Sequence, residues 1–155
     1  MTFVRMDDHS SEAPALALHP ATFDRPKIDR MKKALAQLPS DRLVDAVVYG
    51  MQEVKGKDIV HLDLRDVPNT ACDHFIICHG DSSTQVEAIA RSVDKFTRER
   101  ADEKPWHTEG QENGGWILLD FVDVVVHIFL KERRAYYGLE QLWADAIRNT
   151  YENVA

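Results

Sequence analysis

One short segment has the residue types that could hold a phosphate group. Gly80-Asp81-Ser82-Ser83 comes directly before a helix-like run, and the free backbone N–H groups at a helix start bind phosphate well. However, Asp81 puts a negative charge at that position, and an acid there complements the helix dipole instead. The segment is therefore better explained as a helix start than as a nucleotide site.

Paired carboxylates are the second requirement for an enzyme that transfers nucleotides, because they would hold Mg²⁺. Asp63 and Asp66 straddle the end of a predicted strand, and Asp120 and Asp123 flank a predicted turn. Neither pair projects together from within one strand. The sequence therefore predicts a protein that is not an enzyme, with a Mg²⁺-dependent nucleotidyltransferase as the alternative.

Two other groupings could carry chemistry. His127, Asp120 and Asp123 could share one face of a sheet, but Trp116 opposite the histidine would crowd a metal ion there. Cys72-Asp73-His74 has the residues of a nucleophile and a base, yet no third group that would orient the base is evident. We therefore predict no catalytic residue, no metal site and no cofactor.

Composition indicates one globular domain that binds a protein partner. The 155 residues are 44% apolar and carry a net charge of −7. Residues 1–40 hold six Lys/Arg and five Asp/Glu, whereas the remainder holds thirteen against twenty-one. So acidic a domain binds nucleic-acid backbones poorly and suits a basic protein surface. Cys72 and Cys78 are predicted to pack as small apolar groups. The absence of a long apolar run or a leader pattern predicts no membrane partner and a cytoplasmic location.

The elements that would position these residues follow from periodicity. The predicted order is a helix from Ser40 to Gly56, strands near residues 59–64 and 74–78, a helix capped by Ser82, strands at 116–120 and 123–130, and a helix carrying Leu139, Leu142, Trp143 and Ala146. This order predicts an α/β (α+β) fold, a mixed β-sheet flanked by helices, with a C-terminal β-hairpin and a short C-terminal helix. The predicted divisions are an N-terminal extension (1–39, with a short helix considered for 27–38), a domain (40–147) and a C-terminal tail (148–155).

The hairpin presents two faces of different character. With Phe121 and Val122 as a two-residue turn, Leu118 would pair with Val125 and Trp116 with His127. One face would then be wholly aliphatic and must lie in the core. The other mixes an aromatic residue, aliphatic residues and acids, which is typical of a protein interface. Helices that cover this second face are the alternative, and periodicity does not separate the two.

Several segments resemble one known family when they are taken together and in order. They are residues 58–63, 73–90, 109–110, 123–129 and 136–146, together with Gly115-Trp116-Ile117-Leu118-Leu119-Asp120. At these separations they resemble the ribosomal silencing factor (RsfS/Iojap) family over residues 40–146. The hairpin turn departs from the family, which usually has glycine where this chain has Val122. That departure puts the turn type and the register in question.

The resemblance implies a nucleotidyltransferase-like fold without transferase activity and a capacity to form homodimers. It implies that the chain binds the large ribosomal subunit through ribosomal protein L-fourteen, hinders joining of the small subunit and represses translation when nutrients are scarce. It also implies that Trp116 belongs to the surface that binds the partner. It therefore favours a protein interface, rather than covering helices, for the second face of the hairpin. The predicted partner-binding residues are Trp116, Leu118, Asp120, Asp123 and Val125, with Glu109 and Gly110 from a matched segment.

Overall fold

A computed structural model describes residues 39–112 and 114–155. Its elements in chain order are α1 (Pro39–Glu53), β1 (Lys57–Asp63), β2 (His74–Gly80), α2 (Ser83–Ala101), β3 (His107–Glu109), β4 (Trp116–Asp120), β5 (Val124–Leu130), α3 (Lys131–Tyr137), α4 (Leu139–Leu142) and β6 (Ile147–Thr150). The predicted mixed sheet with flanking helices is confirmed. The helix considered for residues 27–38 lies outside the described residues. Within the described ranges, no helix has the length and apolar character that crossing a membrane requires.

The start of α2 is fixed by its own side chains, as the sequence predicts. The Ser82 hydroxyl accepts the backbone N–H of Gln85 at 3.1 Å. In return, the Gln85 side-chain oxygen accepts the backbone N–H of Asp81 at 2.8 Å. This reciprocal pair is a variant of the capping box, and it satisfies donors that the first helical turn leaves without partners. The helix ends at Ala101, because Asp102 adopts the left-handed conformation (φ 52°).

The six strands form one sheet in the order β3-β4-β5-β2-β1-β6. β2 and β5 run parallel, and every other neighbouring pair is antiparallel. Both central strands are buried along almost their whole length, which explains their continuous apolar runs. β3 and β6 form the two edges.

The sheet has two packed faces, as expected from the alternation of side chains along a strand. α1 and α2 cover one face, and this larger core includes Ile59, Ile76, Cys78, Ile117, Leu119, Val124, Val126 and Ile128. The two helices approach closely at Gly50, where a Cβ atom would lie 2.9 Å from the Cα of Val93. The prediction that the aliphatic face of the hairpin lies in the core is therefore confirmed, and its residues are Ile117, Leu119, Val124, Val126 and Ile128.

The C-terminal segment covers the opposite face. Leu139 is buried there, with the half-buried Trp143 and Ala146 packed against Val60, Leu62, Phe75, Ile77, Leu118, Val125 and Phe129. The predicted C-terminal helix is shorter than its apolar spacing indicates: α4 ends at Leu142, so Trp143 and Ala146 lie beyond it. Gly138, in a left-handed conformation (φ 55°), separates α4 from α3. Residues 148–150, which are predicted to lie in a tail, instead belong to β6 and pair with β1.

An ion-pair network fastens this segment to the sheet. Arg134 of α3 donates to both carboxylate oxygens of Glu140, at 2.9 and 3.2 Å, and to Nδ1 of His79 at 3.0 Å. Arg148 of β6 reaches the same carboxylate at 3.1 Å. Burial alone would raise the pKa of Glu140, but the bonds and charges of the two arginines outweigh it and hold the pKa below its usual range. The network thus joins α3, α4, β2 and β6.

The predicted register of the β4–β5 hairpin is wrong by two residues. Leu118 pairs with His127, Asp120 with Val125 and Trp116 with Phe129. Val122 and Asp123 form the turn, since the N–H of Phe121 donates to the carbonyl of Val124 at 2.8 Å. Val122 takes the positive φ (78°) that a β-branched residue resists, and no glycine marks the turn, so its position was hard to predict. A shift of two preserves the side-chain alternation, and the division into two faces therefore stands.

Candidate partner-binding site

Trp116 is a half-buried aromatic residue held in a fixed orientation. It opens β4, and its ring centroid lies 4.7 Å from that of Phe129 and 4.7 Å from that of Tyr137. Its indole N–H donates to Nδ1 of the buried His127 at 3.2 Å. Packing on two rings and a hydrogen bond leave this side chain few alternative rotamers. A rigid, partly exposed tryptophan of this kind is a typical interface anchor.

Two tyrosines extend this aromatic cluster to the surface. The Tyr137 ring is partly exposed beside Trp116, and Tyr136, which is 81% exposed, packs edge-on against it at 5.2 Å. Neither tyrosine is among the partner-binding residues predicted from the sequence. Adjacent tyrosines at the end of a seven-residue helix were a usable signal, because one helical face could not bury both.

Gly110 and Glu109 lie beside Trp116 on the neighbouring edge. Gly110 has φ 85°, and a Cβ atom there would overlap the backbone carbonyl oxygen of Trp116. Only glycine therefore allows the two chain segments to approach so closely. The Glu109 carboxylate pairs with Nε2 of His107 at 2.9 Å, and both side chains are substantially exposed. Gly110 supports the position of Trp116, while Glu109 is available at the surface.

Leu118 and Val125 are covered in this structure. They are only 3% and 8% exposed and belong to the core beneath the C-terminal segment. Of the two possibilities for the mixed hairpin face, coverage by the C-terminal segment is correct for these two residues. Trp116 on the same face remains half-exposed. The structure does not bring all the predicted partner residues to one surface.

Asp120 and Asp123 lie at the tip of the hairpin. Asp120 is buried, and its Oδ1 accepts the N–H of Val122 at 2.8 Å, which stabilises the turn. Asp123 is exposed, and its carbonyl accepts the backbone N–H groups of Asp73 and His74. Burial, and then the nearby charge of Asp123, raises the pKa of Asp73. The tip is therefore an acidic end of the sheet.

The buried histidines of the sheet are neutral structural groups. Burial lowers the pKa of His127 to about 3 and that of His74 to about 4. His74 shares a 2.8 Å hydrogen bond with His61, whose pKa burial also lowers. Among the described residues, no group of three or more His, Cys, Asp or Glu is arranged to hold a metal ion.

The features considered for catalysis have structural partners instead. At the predicted phosphate segment, the N–H groups of Asp81 and Gln85 are already bound by capping side chains. Burial, followed by nearby acids, raises the pKa of Cys72 to about 12, and burial does the same for Cys78. Both thiols are therefore protonated at neutral pH and poorly nucleophilic. These geometries offer no activated nucleophile.

The fold and the exposed aromatic cluster define an α/β domain suited to binding a partner. The family described as "Ribosomal silencing factor during starvation" matches residues 37–155. The ribosomal silencing factor RsfS of Halalkalibacterium halodurans is 40% identical over 109 residues, which cover 70% of this chain and 92% of that protein. A crystal structure of a Chromobacterium violaceum protein aligns with a TM-score of 0.63 and 36% identity, covering 67% of this chain and 85% of the other.

This chain belongs to the ribosomal silencing factor (RsfS) family, and the resemblance found in its sequence is confirmed. A more distant mouse relative is named "Mitochondrial assembly of ribosomal large subunit protein 1". It is 32% identical over 102 residues, which cover 64% of this chain and 44% of the mouse protein.

Proposed function

We propose that this chain represses translation by binding the large ribosomal subunit through ribosomal protein L-fourteen and blocking its association with the small subunit when nutrients are limiting. The observation that carries the proposal is the family match over residues 37–155. The large-subunit name of the mouse relative supports the choice of subunit. The protein acts in the cytoplasm as a binding factor without catalytic activity.

The surface around Trp116 supports a protein partner. Trp116, Tyr137 and Tyr136 form a cluster of aromatic side chains that a partner could contact. Because the rings already pack on one another, binding would cost little additional side-chain entropy. Glu109 adds an exposed acid at its border. An acidic chain with a net charge of −7 is attracted to basic proteins, and this attraction accelerates encounter more than it strengthens the final complex.

Leu118 and Val125 enter this proposal differently from Trp116. They lie beneath the C-terminal segment, so they can touch a partner only if that segment moves. In the simplest complex they support the rings of Trp116 and Phe129 from below. Trp116, Glu109 and Asp123 then supply the direct contacts.

Subunit joining is the activity to measure. Purified large and small subunits are mixed with increasing amounts of the protein and separated by sedimentation. We expect fewer joined particles and co-sedimentation of the protein with large subunits only. Undiminished joining at saturating protein would rule out the mechanism. Isolated L-fourteen, titrated in a calorimeter, tests the partner separately, because binding to large subunits without binding to L-fourteen would identify another contact.

Trp116→Ala tests the proposed anchor. Removing a central tryptophan typically costs about 2 kcal/mol or more of binding, or roughly thirtyfold in affinity. Trp143→Ala is the matched control, because Trp143 is also half-buried on this face and its ring lies 5.8 Å from that of Phe75. Both variants should lose stability, whereas only Trp116→Ala should lose affinity. Equal affinities for the two variants would remove Trp116 from the site.

Homodimer formation is a separate part of the proposal. A dimer that used the Trp116 surface would compete with the ribosome for it. Sedimentation equilibrium of the free protein, with and without L-fourteen, would show whether the two associations exclude each other. A dimer that binds L-fourteen without dissociating would place the dimer contact elsewhere.

A further inference from the structure

The tip of the β4–β5 hairpin presents two apolar side chains to solvent. Trp106, which precedes β3, is 82% exposed, and Val122 in the turn is 36% exposed. Both residues are hydrogen-bonded to Asp120. The N–H of Trp106 donates to the Asp120 carbonyl, and the N–H of Val122 donates to Asp120 Oδ1, each at 2.8 Å. The two residues therefore leave the backbone close together.

The stability of the free domain does not account for this arrangement. Val122 is held at φ 78°, a conformation that strains its branched side chain, and 36% of the residue still stays exposed. Trp106 carries the largest apolar side chain type and buries little of it. Folding favours neither backbone strain nor exposed apolar side chains. Where the two occur together, as at Val122 and Trp106, they are typical of a surface used for binding.

The charges around the tip indicate the partner. Asp123 is exposed in the turn, and Asp73 adjoins it. In the sequence alone, Trp106 also follows two acids, Asp102 and Glu103, and one cation, Lys104. This rim would repel a nucleic-acid backbone, and it would also repel the same tip of a second copy. A protein surface bearing Arg or Lys fits it, since a guanidinium can stack on an indole ring while pairing with a carboxylate.

We infer that the hairpin tip, defined as Trp106, Val122 and Asp123, is a docking surface for a basic protein segment. The inference rests on the proposed function and extends it, because β4 runs from Trp116 to Asp120 and joins the two surfaces. At about 3.4 Å per residue, the strand places them roughly 14 Å apart, which is within one ordinary interface. Trp106 is then a second aromatic anchor, and the acids set the preference for a basic partner.

The test compares binding and folding in three variants, with isolated large ribosomal subunits as the probe. Trp106→Ala should weaken binding roughly thirtyfold and leave the melting temperature unchanged, since the side chain is exposed. Val122→Gly should raise the melting temperature by roughly 2–5 °C, because glycine relieves the positive φ, and yet weaken binding. Asp123→Asn should weaken binding and reduce its salt dependence. Leu142→Ala, at another exposed apolar residue on α4, is the matched control and should bind normally.

The outcomes separate this inference from the proposed function. If the wild-type protein does not bind large subunits, both fail. If it binds and Trp106→Ala and Val122→Gly stay within twofold of it, the inference alone is overturned. It is likewise overturned if Trp106→Ala changes the sedimentation of the free protein, since the tip would then be a contact between copies. Binding lost in Trp106→Ala and Val122→Gly, with normal or raised melting temperatures, supports it.

Discussion

The buried histidines make the stability of this domain fall in mild acid. His74 and His127 are fully buried, and burial lowers their pKa values to about 4 and about 3. In the unfolded chain a histidine titrates near 6.5. The unfolded state therefore binds protons that the folded state does not. The stability that these groups contribute is fully present above pH 6.5 and is lost as the pH falls towards the folded values.

The size of the effect follows from the two pairs of pKa values. At pH 5 an unfolded histidine is almost fully protonated, whereas each buried one is still almost neutral. The difference is about 2 kcal/mol for each residue, and so about 4 kcal/mol for the two together. Domains of this kind are stable by only about 5–15 kcal/mol, so the loss is a large share of the total. Carboxylates titrate mostly below this window, and acid-induced changes between pH 6.5 and 5 therefore report the histidines.

Urea unfolding at 25 °C, followed by circular dichroism between pH 7.5 and 5.0, measures this loss. We expect the midpoint to fall by roughly 2 M, given a typical dependence of about 2 kcal/mol per molar urea. His127→Phe should remove about 2 kcal/mol of the pH dependence, whatever it does to the absolute stability. His61 and His79, whose pKa values burial also lowers, add to the part that remains. His107→Gln is the control, because the His107 side chain is 51% exposed and its pairing with Glu109 contributes little. A midpoint that is the same at pH 7.5 and pH 5.0 would refute the claim that burial holds both histidines neutral.

Two further changes test contacts that shape the site. Gly110→Ala should destabilise the domain by about 2 kcal/mol or more, because the new methyl group would overlap the Trp116 carbonyl and because residue 110 has a positive φ. Thermal melting measures the loss. A melting temperature within a degree of the wild type would contradict the close approach. Arg134→Met should cost about 2 kcal/mol, because the partly buried Glu140 carboxylate then keeps only its bond to Arg148. In that variant, proteolysis should begin in the C-terminal segment. Lys95→Met, which removes an exposed cation of α2, is the control. Unchanged resistance of Arg134→Met to the protease would show that the network does not fasten the segment.

The elements that the sequence predicted well are those fixed by local interactions. α2 follows from apolar spacing and from the Ser82–Gln85 cap, which lie within four residues of each other. β2 follows from a continuous apolar run, because a central strand is buried on both faces. The aliphatic face of the hairpin depends only on alternation, and a register error of two residues leaves it intact.

The parts that the sequence missed depend on distant residues. β3 has three residues and β6 is exposed throughout, so neither carries a periodic pattern; each is a strand because an edge of the sheet is available to it. Periodicity likewise did not show that Leu118 and Val125 are covered while Trp116 stays half-exposed. That division depends on where the C-terminal segment lies, and Gly138 and the Arg134 network determine its path.

The pairing of β1 with β6 also has a consequence for how the chain folds. His61 of β1 meets Asn149 of β6 across 88 positions in the sequence. Until those later residues are synthesised, β1 is an uncovered outer strand, with a row of backbone groups open to any other extended chain. The slow, long-range closure of this edge would come last. An incomplete chain is therefore prone to aggregate through β1. This risk ends when β6, a short polar strand that buries little of its own surface, pairs with β1.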